Sequence, residues 1–575
     1  MAFFRRALIV VGLLLAAAFA YLWFTRPEKV DMATYVPADA LVYLEADSLP
    51  EIVEAVTSTG SWRTLGPAAG VEDNWGLSRR ASRLLAFTGL GPGEAVVLSR
   101  AQVAVAILGF EAVEESGTAL KFTPRAALIA ETHTSHWRAS AAVEKMAGDF
   151  ARRSFGEPSV ERKEIDGVQY VVWSAAGAGA PRKKLVAAVY ESAAVVGNDE
   201  AAVRACVEVR RGARPSIAGN VELEDARARL GAGTALAFGF APSGSAARMV
   251  EVFAPALVGG ASEDPKAQSL MATVLPQLIN QTLGSVGWST RLNEGRVEDH
   301  YFLGLAGGMA QRLGPALAAA PEPSGVAASL LPAGAHQVSV YNFRSPEDAW
   351  RGLGAALSSQ VDISRATIIT LALESLLKPY GIARPREFLR AAGPWLATAR
   401  LEAGSEGKIL LTQVRDAAAL REQVRAHLGG GAKTEKQDGA ELIVSADAER
   451  GAAGFVENNL LLGSEDDVRR CLAAIRDRRT LGSDEAFKAA GQDIFRGAAF
   501  VRTVTDDRES ARAVVNYFAR GGKKSAPPNP QALEQALAPY AYSPSETRLT
   551  DAGFEKKTLS AFGQLGEIVV RFAPR

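Results

Sequence analysis

Cysteine is nearly missing from this chain: Cys206 and Cys471 are the two among 575 residues. A disulfide framework or a cysteine-based zinc site needs more. No charge of one sign prevails, because 64 Lys and Arg balance 64 Asp and Glu. Nucleic acid, whose phosphates reward a strongly basic face, is therefore not an expected partner. Glycine numbers 54 but follows no period, which excludes a collagen-like or low-complexity chain. After the first thirty residues no segment sustains 18 uncharged apolar residues.

The catalytic signatures are missing as well. G-x-S-x-G does not occur, and "AGSEG" around Ser405 has the wrong spacing. "GGGAKT", Gly429 to Thr434, carries Ala432 where a phosphate loop needs glycine before its lysine, and "GLGPG", Gly89 to Gly93, places Pro92 where helix N–H groups should point. "ETHTSHW" offers Glu131, His133 and His136 as metal ligands, but a zincin needs His-Glu-x-x-His. A polar loop before a helix is the expected reading. His300, His336 and His427 are isolated, and His427 falls near the apolar side of its helix as a core-edge histidine. Cys206 and Cys471 sit in matching helices and read as buried small side chains. The charge runs "ERKE" and "RDRR" read as solvated faces, without the aromatic interleaving of a nucleic-acid platform. No catalytic, cofactor-binding or metal-binding residue is assigned, and no cofactor is implied.

What is present begins with "MAFFRRALIVVGLLLAAAFAYLWFTRPEK". Arg5 and Arg6 precede an uncharged run, Ala7 to Phe24, which as a helix would span ~27 Å. Tyr21, Trp23 and Phe24 gather at its far end, as interfacial aromatics do. "AFA", Ala18 to Ala20, resembles a signal-peptidase site, but the apolar run continues past it, so an uncleaved anchor is expected. This predicts a cytoplasmic tail 1–6, a transmembrane anchor 7–24 and a connector 25–36, with the bulk outside a bacterial inner membrane.

The rest of the chain says nearly everything twice. "PADALVYLEADSLPE" from Pro37 is echoed by "PAGAHQVSVYNFRSPE" from Pro332, each an alternating strand followed by a helix cap at Ser48 or Ser345. "RAALIAETHTSHWRASAAVEKM" is echoed by "GKILLTQVRDAAALREQVRAHL", strand then helix. The first helix sets Val143, Met146, Ala147 and Phe150 on its apolar side; the second sets Leu420, Val424 and Leu428 there, before Gly429 as C-cap. Two hairpins turn at Asp166-Gly167 and Asp438-Gly439. "STRLNEGRVEDHYF" matches "SETRLTDAGFEKKTL". Offsets fall steadily, from 295 at Pro37 to 257 at Arg291, so order is kept throughout. The expected architecture is α+β: two tandem repeats, 37–319 and 332–575, joined by a Pro/Ala-rich linker 320–331, with antiparallel sheets backed by helices. In each opening strand Val42 and Leu44, or Val338 and Val340, are expected on the buried side.

The order of these phrases resembles the bacterial domain of unknown function 3352 family. The resemblance lies in the N-terminal span, the "PADALVYLEADSLPE"-type opening, the "DGVQYVVW"-type hairpin and the "AAVVGNDEAAVRACVE"-type strand and helix. It implies a membrane-anchored chain and no activity. The expected function is a non-enzymatic extracytoplasmic interaction or envelope-associated scaffold, with the bilayer and an envelope protein as partners. The alternatives are a binder of apolar ligands or lipids and, third, an envelope hydrolase.

Overall fold

The computed structural model describes residues 29–46, 49–68, 101–116, 119–175, 183–249, 276–320, 325–359, 380–382, 384–404, 407–490, 499–520 and 530–564, with a few single positions besides. Ten strands come from the first half: β1 Val42–Ala46, β2 Gln102–Ser116, β3 Ala119–Glu131, β4 Ser159–Ile165, β5 Val168–Ser174, β6 Lys184–Tyr190, β7 Ala193–Gly197, β8 Ala237–Ala241, β9 Leu283–Asn293 and β10 Arg296–Leu305. Ten more come from the second: β11 Gln337–Asn342, β12 Ala392–Arg400, β13 Ile409–Val414, β14 Lys433–Gln437, β15 Ala440–Val444, β16 Ala452–Val456, β17 Asn459–Gly463, β18 Val501–Asp506, β19 Tyr542–Leu549 and β20 Gly553–Ser560.

Following the ladders from one edge gives β4-β5-β6-β7-β3-β2-β1-β8-β9-β10. From the other edge they give β14-β15-β16-β17-β13-β12-β11-β18-β19-β20. The two orders are the same, strand for strand, and every pairing is antiparallel.

Both hairpin turns fall at strand tips with positive φ at both central residues, 52° and 76° at Asp166-Gly167, 53° and 83° at Asp438-Gly439. That is the type I′ geometry that suits the right-handed twist of a hairpin, and glycine takes its second position without a Cβ clash. The repeated opening phrase is explained by its docking: Pro37 bridges to Ser216, and Pro332 bridges to Thr480, the equivalent residue.

The halves do not form two sheets. β10 pairs with β20 from Val297↔Ser560 to Gly304↔Gly553, closing one twenty-stranded sheet among the described residues. His300 faces Lys557 in this ladder, and the offset of 257 makes them equivalent residues. The seam is thus a pseudo-two-fold, the intramolecular counterpart of an isologous dimer contact. Each half ends on a strand with unpaired backbone groups, and the copy's own equivalent edge is complementary to it.

The anchor also needs correction. Residues 7–24, the connector residues before Lys29 and Ser48 lie outside the described residues, and among the described residues no helix is long and apolar enough to cross a membrane. This revises the expected architecture twice: two sheets are one, and no helix of the described fold carries the span. The inner-membrane address and the bilayer as partner rested on that span, which lies outside the described residues.

Helices pack on both sides of the sheet. We number α1 Leu49–Ser58, α2 Gly60–Ala68, α3 His136–Phe155, α4 Glu200–Arg210, α5 Val221–Leu230, α6 Pro346–Ser358, α7 Pro385–Ala391, α8 Ala417–Leu428, α9 Glu465–Arg476, α10 Glu485–Ala490, α11 Arg508–Arg520 and α12 Pro530–Leu537. α4 and α5 cover one face of the first half, where Val203, Cys206, Leu223 and Leu230 meet Tyr43, Ile129, Val186 and Phe238. α9 covers the same face of the second half through Val468, Cys471 and Leu472. On the opposite face lie α3, with Ala147 and Ala151 against Trp173, and α7 and α8, with Phe388, Leu420 and Val424 against Leu410 and Leu462. α2, α11 and α12 gather around Trp62 and Phe562. Cover on two sides is why strands such as "NLLLG" in β17 are apolar without alternation.

Two burial expectations shift. In β1 the inward residue is Tyr43, fully buried, while Leu44 is 36% exposed. Val338, the residue 295 positions on, is buried in β11, whereas Val340 is half-buried. The two strands match in register with Tyr43 on Val338, and shifting by one residue exchanges faces. In α3, Ala147 is buried but Phe150 is half exposed, and the buried stripe runs through Ala139, Ala142 and Ala151 instead.

Candidate functional site

The residues singled out for chemistry are scattered, and each is engaged in structure. Glu131 is buried, accepts from the Tyr35 hydroxyl at 2.7 Å and from the backbone N–H of His133 at 2.9 Å. His133 Nε2 lies 3.1 Å from Gln102 Oε1, and Gln102 in turn brackets the backbone of Val30. His136 is exposed at the start of α3. The three residues do not converge, and among the described residues no group of three or more His, Cys, Asp or Glu could hold a metal.

His427 is half-buried and meets the Arg450 carbonyl at 3.1 Å; burial lowers its pKa. The His336 carbonyl accepts from the Asp506 N–H, a backbone role. Cys206 and Cys471 each lie seven residues after an N-cap, Asp199 and Ser464. Both are buried free thiols, and burial pushes each up to about 12. Gly429 caps α8, and Lys433 opens β14. Ser405 and Gly89 to Gly93 lie outside the described residues. "ERKE" forms most of β4, the exposed edge strand; its charges discourage pairing with another chain at that edge.

The seam holds the chemistry that motif searching does not find. On one face Glu298 accepts from Arg291 at 2.6 Å and from Asn293 at 2.6 Å, with Lys557 Nζ at 3.4 Å. The equivalent Glu555 accepts from Arg548 at 2.6 and 3.0 Å and from Arg229 of α5 at 3.2 Å, and His300 stands 3.8 Å away. Burial alone would raise the Glu555 carboxyl, but the neighbouring His300 and the hydrogen-bonded Arg548 and Arg229 hold it down at about 2. On the other face Asp299 is buried, and its Oδ2 accepts from the Gln564 N–H at 2.9 Å. Thr290 and Trp288 point their polar atoms at Asp299 without meeting hydrogen-bond geometry. Burial pushes this carboxyl up to about 6.

Beside the seam, a cleft of about 480 Å³ opens between α5 and the ends of β9 and β10. Glu222, Asp225 and Arg229 of α5 line one side; Ser285, Phe302 and Gly304 line the other. The Glu222 carboxylate accepts from the Ser243 N–H at 2.8 Å, and the Arg229 guanidinium lies 4.7 Å above the Phe302 ring. Gly304 is needed for close approach, since a Cβ there would stand 2.8 Å from the Ser285 carbonyl oxygen. β10 carries an irregularity at this point, between Leu303 and Leu305.

The seam's Arg and Glu pairs were legible as a signal, because Arg291 and Glu298 recur as Arg548 and Glu555 at the same separation in both copies. The cleft was not, since its residues come from five separate stretches of the chain. No family model, curated protein or solved structure matches the chain.

Proposed function

We propose that this protein is a non-enzymatic interaction scaffold, two copies of one unit fused into a single platform. The observation supporting this reading is the use made of its chemically capable side chains. Glu131, His133, His427, Cys206 and Cys471 each hold a loop, a helix end or a core, and no nucleophile meets a base among them. The charged groups that do converge join the halves at the seam, Lys557 with Glu298 and Arg229 with Glu555. A binder of apolar ligands fits less well, because the cleft beside the seam is lined by Glu222, Asp225 and Arg229.

The test is turnover. Purified protein should hydrolyse chromogenic ester, phosphate monoester and glycoside substrates no faster than buffer does. It should also hold no stoichiometric zinc that the double variant His133→Ala, His136→Ala loses. Turnover proportional to protein concentration, abolished by replacing one of the residues named above, would replace this reading with an enzymatic one.

A further inference from the structure

The turn that follows β20 ties the two halves together on the face opposite the seam's glutamates. Phe562 is buried among Trp62 of α2, Val514 of α11 and Leu533 of α12, and it meets the Trp62 ring edge-on at 6.5 Å. Gly563 takes φ 58°, and a Cβ there would stand 2.6 Å from Asp299 Oδ2 and 2.5 Å from Val297 Cγ1. Gln564 then makes two bonds to β10. Its backbone N–H donates to Asp299 Oδ2 at 2.9 Å, and its side-chain amide donates to the Tyr301 hydroxyl at 2.7 Å. The first half has no counterpart of this arrangement. At the offset of 257, Asp299 corresponds to Lys556, which is exposed, and Phe562-Gly563-Gln564 corresponds to Leu305-Ala306-Gly307. The fold does without it on one side of its pseudo-two-fold.

Asp299, under the turn, is 2% exposed, and its Oδ1 has no hydrogen-bond partner among the described residues. Trp288 and Thr290 of β9 face it, and Thr558 of β20 lies across the ladder. The titratable and charged groups around it are Glu298 and His300 beside it on β10, both turned to the other face, and Tyr301 on its own face. From β9, Arg291 turns away to Glu298; from β20, Lys557 does the same, and the Lys556 ammonium stands 5.9 Å from the centre of the Tyr301 ring. Arg296 is held by the Pro539 carbonyl at 3.0 Å and lies over the Tyr540 ring, Arg512 of α11 pairs with Glu534 of α12, and Arg63 of α2 is exposed. Among the described residues no cation donates to the Asp299 carboxyl. Its ionised form would be buried without a bonded counter-charge, which is costly.

We propose that the turn Ala561–Gln564 is a clasp across the two halves, closed over a protonated Asp299 and lifted when that carboxyl is ionised. A protonated carboxyl keeps an oxygen free to accept from the Gln564 N–H, so the closed clasp suits the neutral form. The ionised form reaches water by the opening that breaks the fewest contacts. β9, β10 and β20 are interior strands, each paired on both sides, so that opening is the turn, which Phe562 and two Gln564 bonds hold. Lifting it wets Asp299 and uncovers the apolar cluster of α2, α11 and α12. The clasp stands or falls independently of the scaffold reading.

The experiment is hydrogen exchange of the full chain, read by mass spectrometry at pH 5 and pH 8, wild type against Asp299→Asn. Comparing the two proteins at each pH cancels the intrinsic pH dependence of amide exchange. Burial pushes Asp299 up to about 6 in the closed clasp, against 3.8 once wetted, so opening should rise about tenfold between these pH values. Exchange in the peptide Ala561–Gln564, wild type over variant, should therefore rise about tenfold from pH 5 to pH 8. At both values the turn should be less protected than β1, because it opens without the sheet. Tyr301→Phe, which removes the acceptor of the Gln564 amide, should speed exchange of the turn at both values and keep the tenfold rise. A synthetic peptide of the same sequence supplies the intrinsic rate, so the wild type alone gives the rise should Asp299→Asn not fold. A ratio that stays constant from pH 5 to pH 8 overturns the clasp. So does a turn as protected as β1, which would open only with the whole molecule.

Discussion

Asp299 shows how one buried carboxyl sets a pH dependence for a whole sheet. Its neighbours across the ladders are Thr290 and Thr558, its one hydrogen-bond donor among the described residues is the Gln564 N–H, and Glu298 beside it opposes ionisation. Because burial lifts it to about 6 from 3.8, the folded state binds its proton more tightly than the unfolded chain does. Its contribution is therefore most favourable below pH 4 and is lost as pH rises through 6, a difference of about 3 kcal/mol at neutrality. Asp299→Asn keeps an acceptor for the Gln564 N–H and removes the titration. Urea unfolding at pH 5 and pH 8 should show the variant gaining on the wild type as pH rises, and more stable than it at pH 8. A difference independent of pH would mean that Asp299 stays ionised when buried. The comparison with the variant is needed because Glu555, held at about 2, titrates in the opposite sense.

At the scale of single elements, capping and register carry the argument. Ser345 accepts from the Asp348 N–H at 3.2 Å and opens α6 with Pro346 at its first position. Ser345→Ala should cost about 1 kcal/mol in unfolding free energy, read from the urea midpoint at constant slope. An unchanged midpoint would show that the helix is held by packing of Ala349 and Ala356 alone. Local signals of this kind were legible in the chain: Asp-Gly for type I′ turns, Gly429 after Leu428 for a helix end, three/four spacing of Leu420, Val424 and Leu428 for a buried stripe. Side assignment was less so. "ALVYLEA" has apolar residues on both sides, so periodicity alone could not choose Tyr43 over Val42 and Leu44; counting from the repeated proline does choose it. In α3 the buried side is made of alanines, whose small size lets Trp173 and Val171 approach, and a search for large apolar residues picked the exposed Phe150.

For the whole molecule, the duplication is visible in the sequence and its consequence is not. Repeats in constant order indicate two copies of a unit, but they do not say whether the copies stand apart or share a sheet. That is decided at β10 and β20, whose charged residues "RVEDHY" and "FEKKT" look like solvated edges when read alone. In the sheet Glu298 meets Arg291 and Lys557 and Glu555 meets Arg548, so these two buried carboxylates are paired where a lone buried ion would be costly. The cleft escaped reading for a related reason: α5 and the β9–β10 hairpin that line it are brought together only by the fold.

Hydrogen exchange at this seam tests the account most directly. In one continuous sheet, the β10 amides that point at β20, and their counterparts in β20, are interior ladder groups and should exchange only with global unfolding, as slowly as those of β1 and β8. Exchange at the seam as fast as in the edge strands β4 and β14 would mean that the halves carry separate sheets, and the fused platform would be wrong.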